Sequence, residues 1–273
     1  MQIEGNILKM KTSLKDGKAC YQLPVKEKGN EDYTYFPIEE QIGKNLKITF
    51  DGLINDIYDQ KPIKKSYAQG FSYKNLITLA RCDTCIVKPE LCHYDEGTCR
   101  EPKWGEEHCF IPHIIYLSVT SGAKIGITRN TQVPHRWIDQ GAHLALPILE
   151  VADRKTSGLI ESEIAKEMND KTNWRKMLKG ESEDVDLYDL RETIFDQYAD
   201  LLDEMDAKDL DEQIIEIQYP ITELPEKIKS FGLDKSPVVE GKLLGIKGQY
   251  LIMDTGVINL RKHQGYFVDF KFN

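Results

Sequence analysis

Strand patterns dominate the two ends of the chain. Apolar and polar residues alternate through 46–50, 215–219 and 266–272, which is the periodicity of a half-buried β-strand. Two apolar runs between residues 243 and 260 are separated by Asp254-Thr255-Gly256, a turn sequence that predicts a hairpin. Because both ends are rich in strands, we predict that the two termini pair in one small sheet or barrel.

The middle of the chain mixes strands with helices. Short strands are predicted at 114–117, 124–128 and 145–151. Helical spacing of apolar residues runs through 157–168 and, more strongly, through 186–205. The chain therefore has the pattern of an α+β fold with strand-rich ends.

Composition and charge limit the functional classes. Charged residues make up 30% of the chain, and no apolar run approaches the length of ~20 residues that spans a bilayer. We find no signal peptide and expect a cytoplasmic protein without a membrane partner. The net charge is −9, yet residues 1–150 carry 19 basic and 19 acidic side chains, so the excess lies in 151–273. It is densest between 181 and 216, where a helix could face solvent or a basic protein partner.

Cysteines are concentrated between residues 82 and 109, where five of the six lie. A cytoplasmic protein keeps its thiols reduced, so a dense cluster indicates metal ligands rather than disulfides. Cys82-x2-Cys85 has the spacing of a tetrahedral zinc site. We predict a structural zinc held by Cys82, Cys85, Cys99 and Cys109, with Cys92 and His113 as alternates. Buried thiols without a metal are the other interpretation.

Ile115-Tyr116 on one strand and Lys124-Ile125-Gly126 on the next resemble the GIY-YIG nuclease domain, with Arg136 and Glu161 on later helices. The resemblance covers about 113–178 and implies a three-stranded antiparallel sheet with flanking helices. It also implies an endonuclease that cleaves phosphodiester bonds with one divalent metal, Mg²⁺ or Mn²⁺.

Residue roles follow from that resemblance. Tyr116 would assist the nucleophile, Arg136 would bind the phosphate, and Glu161, with Glu163 as fallback, would hold the metal. Lys124 stands where the second motif has tyrosine, and Ile127 where a polar residue is frequent. A lysine binds phosphate but activates water poorly at neutral pH, so this departure favours a non-catalytic zinc module that binds RNA or DNA. The predicted nucleic-acid contacts are Arg129, Trp137, Gln140 and Asn173, beside Lys124 and Arg136.

A longer pattern is more specific than the nuclease motif. It joins the cysteine cluster to Arg136-Trp137-Ile138-Asp139-Gln140-Gly141, Asp170-Lys171-Thr172-Asn173-Trp174 and Gly248-Gln249-Tyr250. Together these segments are similar to an uncharacterised bacterial family of unknown function, which implies no established activity. Members often carry a second cysteine knuckle upstream, and the corresponding positions here are Asp56, Asp59, Ser72 and Asn75. The basic and aromatic loop 61–75 must then hold its shape without a metal.

We therefore divide the chain into five segments: a strand-rich N-terminal segment, a zinc-binding cysteine module, a GIY-YIG-like domain, an acidic helical extension and a strand-rich C-terminal segment. Their bounds are 1–80, 81–112, 113–178, 179–213 and 214–273. The expected function is nucleic-acid binding, with endonuclease activity as one alternative and a non-catalytic zinc module that binds nucleic acid or a nucleoprotein as the other.

Overall fold

A computed structural model describes residues 1–168, 173–225 and 228–273. The chain divides into two compact units. The first unit contains residues 1–76, 138–141 and 218–273, and the second contains 77–137 and 142–217. The terminal segments thus build one unit and the central segments the other. The motif residues Asp170, Lys171 and Thr172 lie outside the described residues.

Sixteen strands are assigned in the described part of the chain. They are β1 (Gln2–Ile7), β2 (Lys11–Lys15), β3 (Lys18–Lys26), β4 (Thr34–Phe36), β5 (Asn45–Asn55), β6 (Pro62–Ile63), β7 (His113–Val119), β8 (Ala123–Arg129), β9 (Leu144–Val151), β10 (Lys208–Asp209), β11 (Ile215–Glu216), β12 (Ser230–Phe231), β13 (Val238–Lys247), β14 (Tyr250–Met253), β15 (Gly256–Asn259) and β16 (Tyr266–Phe272).

The α-helices are fewer and mostly short. They are α1 (Tyr73–Thr78), α2 (Pro102–His108), α3 (His135–Gln140), α4 (Arg154–Ile164), α5 (Trp174–Leu178) and α6 (Leu187–Glu204). Single 3₁₀ turns occupy Ile38–Gln41, Ala80–Cys82, Thr84–Ile86, Pro89–Leu91, Asn130–Gln132 and Leu260–His263. No helix among the described residues has the length and apolar character needed to cross a membrane.

The first unit is built on one eleven-stranded sheet. Its order is β12-β15-β14-β13-β5-β16-β1-β3-β2, with β4 on β3 and β6 on β5. β1 pairs antiparallel with β16, from Gln2 opposite Lys271 to Asn6 opposite Phe267. The prediction that the two ends of the chain pair is therefore confirmed. The alternation in β5 and β16 places Ile48, Val268 and Phe270 in the core, each without exposed surface.

The chain is interrupted between the first two strands. Residues 6–11 have the sequence pattern of an edge strand, but β1 ends at Ile7 and β2 begins only at Lys11. The break is held by distant side chains: the backbone N–H of Met10 donates to Gln249 Oε1 at 2.7 Å. Lys9 forms an ion pair with Asp139, whose side chain is almost fully buried. These partners lie far along the chain, so a local pattern does not reveal the break.

The second unit contains a five-stranded sheet ordered β10-β9-β7-β8, with β11 on the other part of β9. β7 lies between β8 and β9, is antiparallel to both, and is buried at every residue. Helices α4 and α6 cover a core that includes Ile115, Leu146 and Ile194. α6 spans 187–204, close to the stretch predicted from its apolar stripe.

The turn region 56–75 is held by one buried carboxylate. Asp56 has no exposed surface. Its Oδ2 accepts hydrogen bonds from Ser72 N at 2.6 Å and Asn75 Nδ2 at 2.8 Å, and its Oδ1 accepts from Tyr58 N at 2.7 Å. The backbone N–H of Asp59 also donates to Oδ1 at 3.4 Å, so all four positions that correspond to the second cysteine knuckle meet at one carboxylate. Hydrogen bonds to the Asp56 carboxylate therefore hold this turn region where a second knuckle would use a metal.

Hydrogen bonding also decides the charge state of Asp56. Burial alone would raise the pKa of this carboxyl, but the hydrogen bonds from Ser72, Tyr58 and Asn75 outweigh it and lower the pKa. Because the folded-state pKa lies below the unfolded value of about 3.9, the stabilisation is complete above that pH. It is lost as the pH falls through the folded-state pKa.

We predict that Asp56→Asn lowers the free energy of unfolding by about 2 kcal/mol at pH 7, because the amide cannot accept the same set of charged hydrogen bonds. The difference from the wild type should shrink below about pH 4. Urea unfolding at several pH values measures both effects. Asp59→Asn is the matched control, since Asp59 bonds the exposed backbone of Lys61, and we expect a change of less than about 0.5 kcal/mol. Equal effects of the two variants would contradict this role of Asp56.

Candidate metal centre and arginine cluster

The cysteine module, residues 81–112, has little regular structure. Short 3₁₀ turns follow one another, and Pro89 and Pro102 each start a turn or helix at a position where a missing N–H costs nothing. Asp83 caps the turn that contains Cys85 by accepting a hydrogen bond from Thr84 N at 2.6 Å. Such a segment buries few apolar side chains and needs another source of order.

Four cysteines of this module line one small cavity of about 20 Å³. They are Cys85, Cys92, Cys99 and Cys109, and the rest of the wall is largely aromatic or apolar, with Tyr94, Trp104 and Phe110. Gly105 of α2 brings the backbone close to Cys99, because a Cβ there would lie 3.5 Å from Cys99 Sγ. The cavity is about the size of one small ion with its donors around it.

The thiols influence one another electrostatically. The pKa of Cys85 is raised to about 11, first by burial and then by Asp83, Cys92, Cys109 and Cys99, in that order. Burial also raises the pKa of Cys109, although Arg154 opposes this change. Four thiolates would repel each other in this space, so a cation is the partner that suits the donor set.

A second group of donors shares Cys85. Potential ligand atoms of Asp83, Cys85 and His93 lie within 4.8 Å of one another, so these residues form a group able to hold a metal ion. Asp83 already has partners, with Arg100 Nε at 2.8 Å and His93 Nε2 at 3.4 Å from its Oδ2. His93 Nδ1 lies 2.7 Å from Thr98 Oγ1. These contacts suit a role in fixing the Cys85 turn.

Cys82 and His113 take other positions. Cys82 ends the turn Ala80–Cys82, and it is not among the residues that line the thiol cavity. His113 begins β7, where its Nδ1 lies 2.7 Å from the carbonyl oxygen of Ile111. Burial lowers the pKa of His113 to about 4, so the ring is neutral at pH 7. The cavity wall thus includes Cys85, Cys99 and Cys109 of the predicted set and the alternate Cys92, and the metal-ligand set stays a prediction.

Helix α4 fastens the module to the sheet. A Cβ on Gly158 would lie only 2.5 Å from Pro89 Cβ, so the absent side chain lets α4 touch the turn Pro89–Leu91. Arg154, the first residue of α4, donates its backbone N–H to the carbonyl oxygen of Cys109 at 2.8 Å. Its guanidinium donates to the carbonyl oxygen of Ile86 at 2.5 Å. One residue therefore contacts both sides of the thiol cavity.

Arg129 and Arg136 act electrostatically on Arg154, and we call these three residues the arginine cluster: Arg129, Arg136 and Arg154. Burial lowers the pKa of the Arg154 guanidinium, the Cys109 thiolate would oppose this, and Arg129 and Arg136 lower it further. Arg129 ends β8 directly opposite His113 of β7. The sequence predicted Arg129 and Arg136 as site residues but did not point to Arg154. The only local signal for Arg154 is the helix cap Asp153 beside it.

Tyr116 and Trp137 are core residues. Neither has exposed surface, and their rings meet edge to face with centroids 5.7 Å apart. Gly126 pairs with Tyr116 across β7 and β8, and a Cβ there would lie 2.8 Å from the tyrosine hydroxyl. Glycine in the second motif thus makes room for the tyrosine ring. In this arrangement neither ring reaches a substrate surface.

The remaining predicted residues are dispersed over several elements. Lys124 lies in β8 opposite Ser118, and Glu161 lies on α4; both are partly exposed. Glu163 is exposed and forms an ion pair with Lys166. Gln140 is in the stretch 138–141 of the first unit. Asn173 caps α5, accepting from Arg175 N at 3.1 Å.

Comparison with known proteins gives the family. A model described as "Protein of unknown function (DUF2797)" matches residues 43–268, most of the chain. The chain belongs to this family, which confirms the resemblance to a family of unknown function. Neither the curated proteins nor the solved structures compared with the chain gave a match.

We predict that serine at any of Cys85, Cys92, Cys99 or Cys109 lowers the bound metal from one equivalent to less than about 0.3, because a tetrahedral site loses a quarter of its ligands. Elemental analysis of purified protein measures this. Cys82→Ser, from the same module, is the control and should keep one equivalent. Loss of metal in Cys82→Ser with retention in Cys92→Ser would refute the set of four.

Proposed function

We propose that the protein is a zinc-containing nucleic-acid-binding protein that contacts phosphates through the arginine cluster, Arg129, Arg136 and Arg154. The electrostatic influence of Arg129 and Arg136 on Arg154 carries the proposal. Like charges at short range destabilise a fold unless an anion or a nearby thiolate offsets them. Arginine matches phosphate geometry with two parallel N–H donors, which makes phosphate the natural occupant.

The charge distribution supports this choice of surface. The acidic excess of the chain is densest between 181 and 216, whereas the arginine cluster is formed by β8, α3 and α4. Phosphate contacts supply most of the affinity of sequence-independent binding and make it sensitive to salt. The exposed acidic face of α6 is the alternative surface for a basic protein partner.

Zinc is the proposed metal because thiolate ligands suit Zn²⁺ and iron–sulfur centres, and not the harder cations. The cavity of about 20 Å³ suits one ion better than a cluster with its own sulfides. A protein purified aerobically should contain zinc and show no absorption near 400 nm. Four sulfur ligands leave no open position, so the zinc is structural.

We expect Arg129→Glu and Arg136→Glu each to weaken binding of a fluorescent oligonucleotide at least tenfold at low salt. Each should reduce the slope of log affinity against log salt by about one or more, since a phosphate contact is lost. Lys208→Glu on β10 introduces the same change of charge away from the cluster and is the control. Equal loss in the control, or affinity that does not depend on salt, would count against the proposed surface.

Phosphodiester cleavage is the second candidate, and the strand order favours it. The sequence β7-β8-α3-β9-α4 carries a three-stranded antiparallel core with Arg136 on the first helix and Glu161 on the second, as the GIY-YIG resemblance implies. Mg²⁺ or Mn²⁺ would be held by Glu161. The burial of Tyr116 speaks against a direct role of its hydroxyl, so Arg136 and Glu161 carry this candidate.

For this candidate, Glu161→Gln should abolish cleavage of labelled single- and double-stranded substrates with Mg²⁺ while leaving oligonucleotide affinity within about twofold. Glu163 lies two residues further along α4 and forms an ion pair with Lys166, so Glu163→Gln should keep full activity. Gel analysis of product against time separates the two. Cleavage by Glu161→Gln at the wild-type rate would dismiss the catalytic proposal and leave the binding proposal standing.

A further inference from the structure

The outer face of β2 and β3 is basic, although the net charge of the whole chain is −9. Together with β4, these strands contain four lysines and no aspartate or glutamate. Side chains alternate between the two faces of a strand, and the buried residues Thr12, Ala19 and Tyr21 define the inner face. The outer face therefore carries all of the lysines, Lys11, Lys15, Lys18 and Lys26.

Three of these lysines form no ion pair with any carboxylate that the structure describes. They are Lys11, Lys15 and Lys18, and each is exposed. Lys15 of β2 lies directly opposite Lys18 of β3. Like charges that face each other across two strands destabilise a sheet. An anionic partner on this face would remove that cost.

The surroundings of the Cys20 thiol show which charges act at this face. Burial raises the pKa of the thiol and Glu39 acts in the same direction, whereas Lys15 and Ser13 lower it. Ser13 is paired with Cys20 across β2 and β3. The Glu39 carboxylate already accepts a hydrogen bond from Tyr21 N at 2.9 Å. Lys15 and Ser13 thus share one surface with Cys20, and Glu39 is engaged at the backbone of β3.

An exposed tyrosine adjoins the lysines. Tyr35 of β4 lies opposite Pro24 of β3, and 46% of its surface is exposed. The Lys11 ammonium lies 4.9 Å from the centre of the Tyr35 ring. The Lys26 ammonium has the same kind of contact with Tyr33, at 6.0 Å. Aromatic rings beside cations are the combination that stacks bases and neutralises their phosphates.

We propose that this surface, which we call the basic platform (Lys11, Lys15, Lys18 and Tyr35), binds single-stranded nucleic acid. The Cα atoms of Lys11 and Lys15 are about 13 Å apart along β2, so the lysines extend over a surface longer than one phosphate group. A polymer of phosphates therefore suits them better than a small anion. Base faces are covered in a duplex, whereas unpaired bases can stack on an exposed ring such as Tyr35.

The inference rests on the proposed function in one respect, namely that the protein binds nucleic acid. It adds a second surface and a preference for single strands. The basic platform consists of residues of the first unit, whereas the arginine cluster consists of residues of the second unit. Substitutions can therefore test the two surfaces separately.

Fluorescence anisotropy of the full-length protein tests the platform, with labelled oligothymidylate used alone and in a duplex with oligodeoxyadenylate. Tyr35→Ala should weaken binding of the single strand at least about fivefold with an unchanged salt dependence, because a stacking contact is lost and no charge. Affinity for the duplex should change less than about twofold. Tyr35→Phe keeps the ring and should bind the single strand like the wild type.

A charge variant separates binding from stability. Lys15→Glu places opposite charges across β2 and β3, so its thermal stability should equal or exceed that of the wild type. It should nevertheless bind the single strand at least about fivefold more weakly, with a smaller slope of log affinity against log salt. Lys235→Glu, in the exposed turn after β12, is the control, because β12 and β2 lie at opposite ends of the strand order.

The outcomes for the two surfaces are distinct. Single-strand affinity that falls in Arg129→Glu but not in Tyr35→Ala or Lys15→Glu would overturn the basic platform and leave the arginine cluster standing. The reverse pattern would support the platform and refute the arginine cluster. Polyglutamate that displaces the labelled strand as well as unlabelled oligothymidylate does would also overturn the proposal, because it would assign the surface to acidic proteins.

Discussion

Four cysteine side chains line one small cavity in a segment that has few other means of order. The segment 81–112 consists mainly of single 3₁₀ turns and one helix of seven residues. Backbone entropy of roughly 1 kcal/mol or more per residue opposes such a segment, and its apolar burial is small. The proposed metal, bound by four thiolates, would supply free energy of the required size in one place.

Helix α4 connects the cysteine module to the sheet of the second unit. Gly158 allows the helix to touch the turn at Pro89, and Arg154 bonds to the backbone of Ile86 and Cys109. The same arginine forms the arginine cluster with Arg129 and Arg136. The proposed thiolate-bound metal would carry excess negative charge and offset part of the repulsion among the arginines. Helix α4 thus connects the proposed metal centre with the proposed phosphate surface.

Sequence periodicity predicted the regular elements well where one face is buried. β16 and α6 follow their apolar stripes to within about two residues, because burial on one side alone determines each pattern. The break between β1 and β2 was not predicted, because it depends on Gln249 and Asp139. Arg154 was missed for the same reason. Its importance comes from neighbours that are distant in the chain.

The positions of the cysteines show the limit of spacing rules. Cys82-x2-Cys85 has the expected spacing, but the two residues lie in successive 3₁₀ turns separated by Asp83 in an extended conformation, with φ −69° and ψ 158°. That extended residue directs the chain so that Cys85, and not Cys82, meets the cavity. Cys92 comes from the next turn, fixed by Pro89 and by contact with Gly158. Long-range packing decides which of five cysteines converge.

X-ray absorption at the edge of the bound metal tests the central claim most directly, because it reports the identity and number of the atoms around the ion. Four sulfur atoms at about 2.3 Å from zinc are expected from Cys85, Cys92, Cys99 and Cys109. A coordination shell of mixed oxygen, nitrogen and sulfur, as Asp83, Cys85 and His93 would supply, would contradict the account.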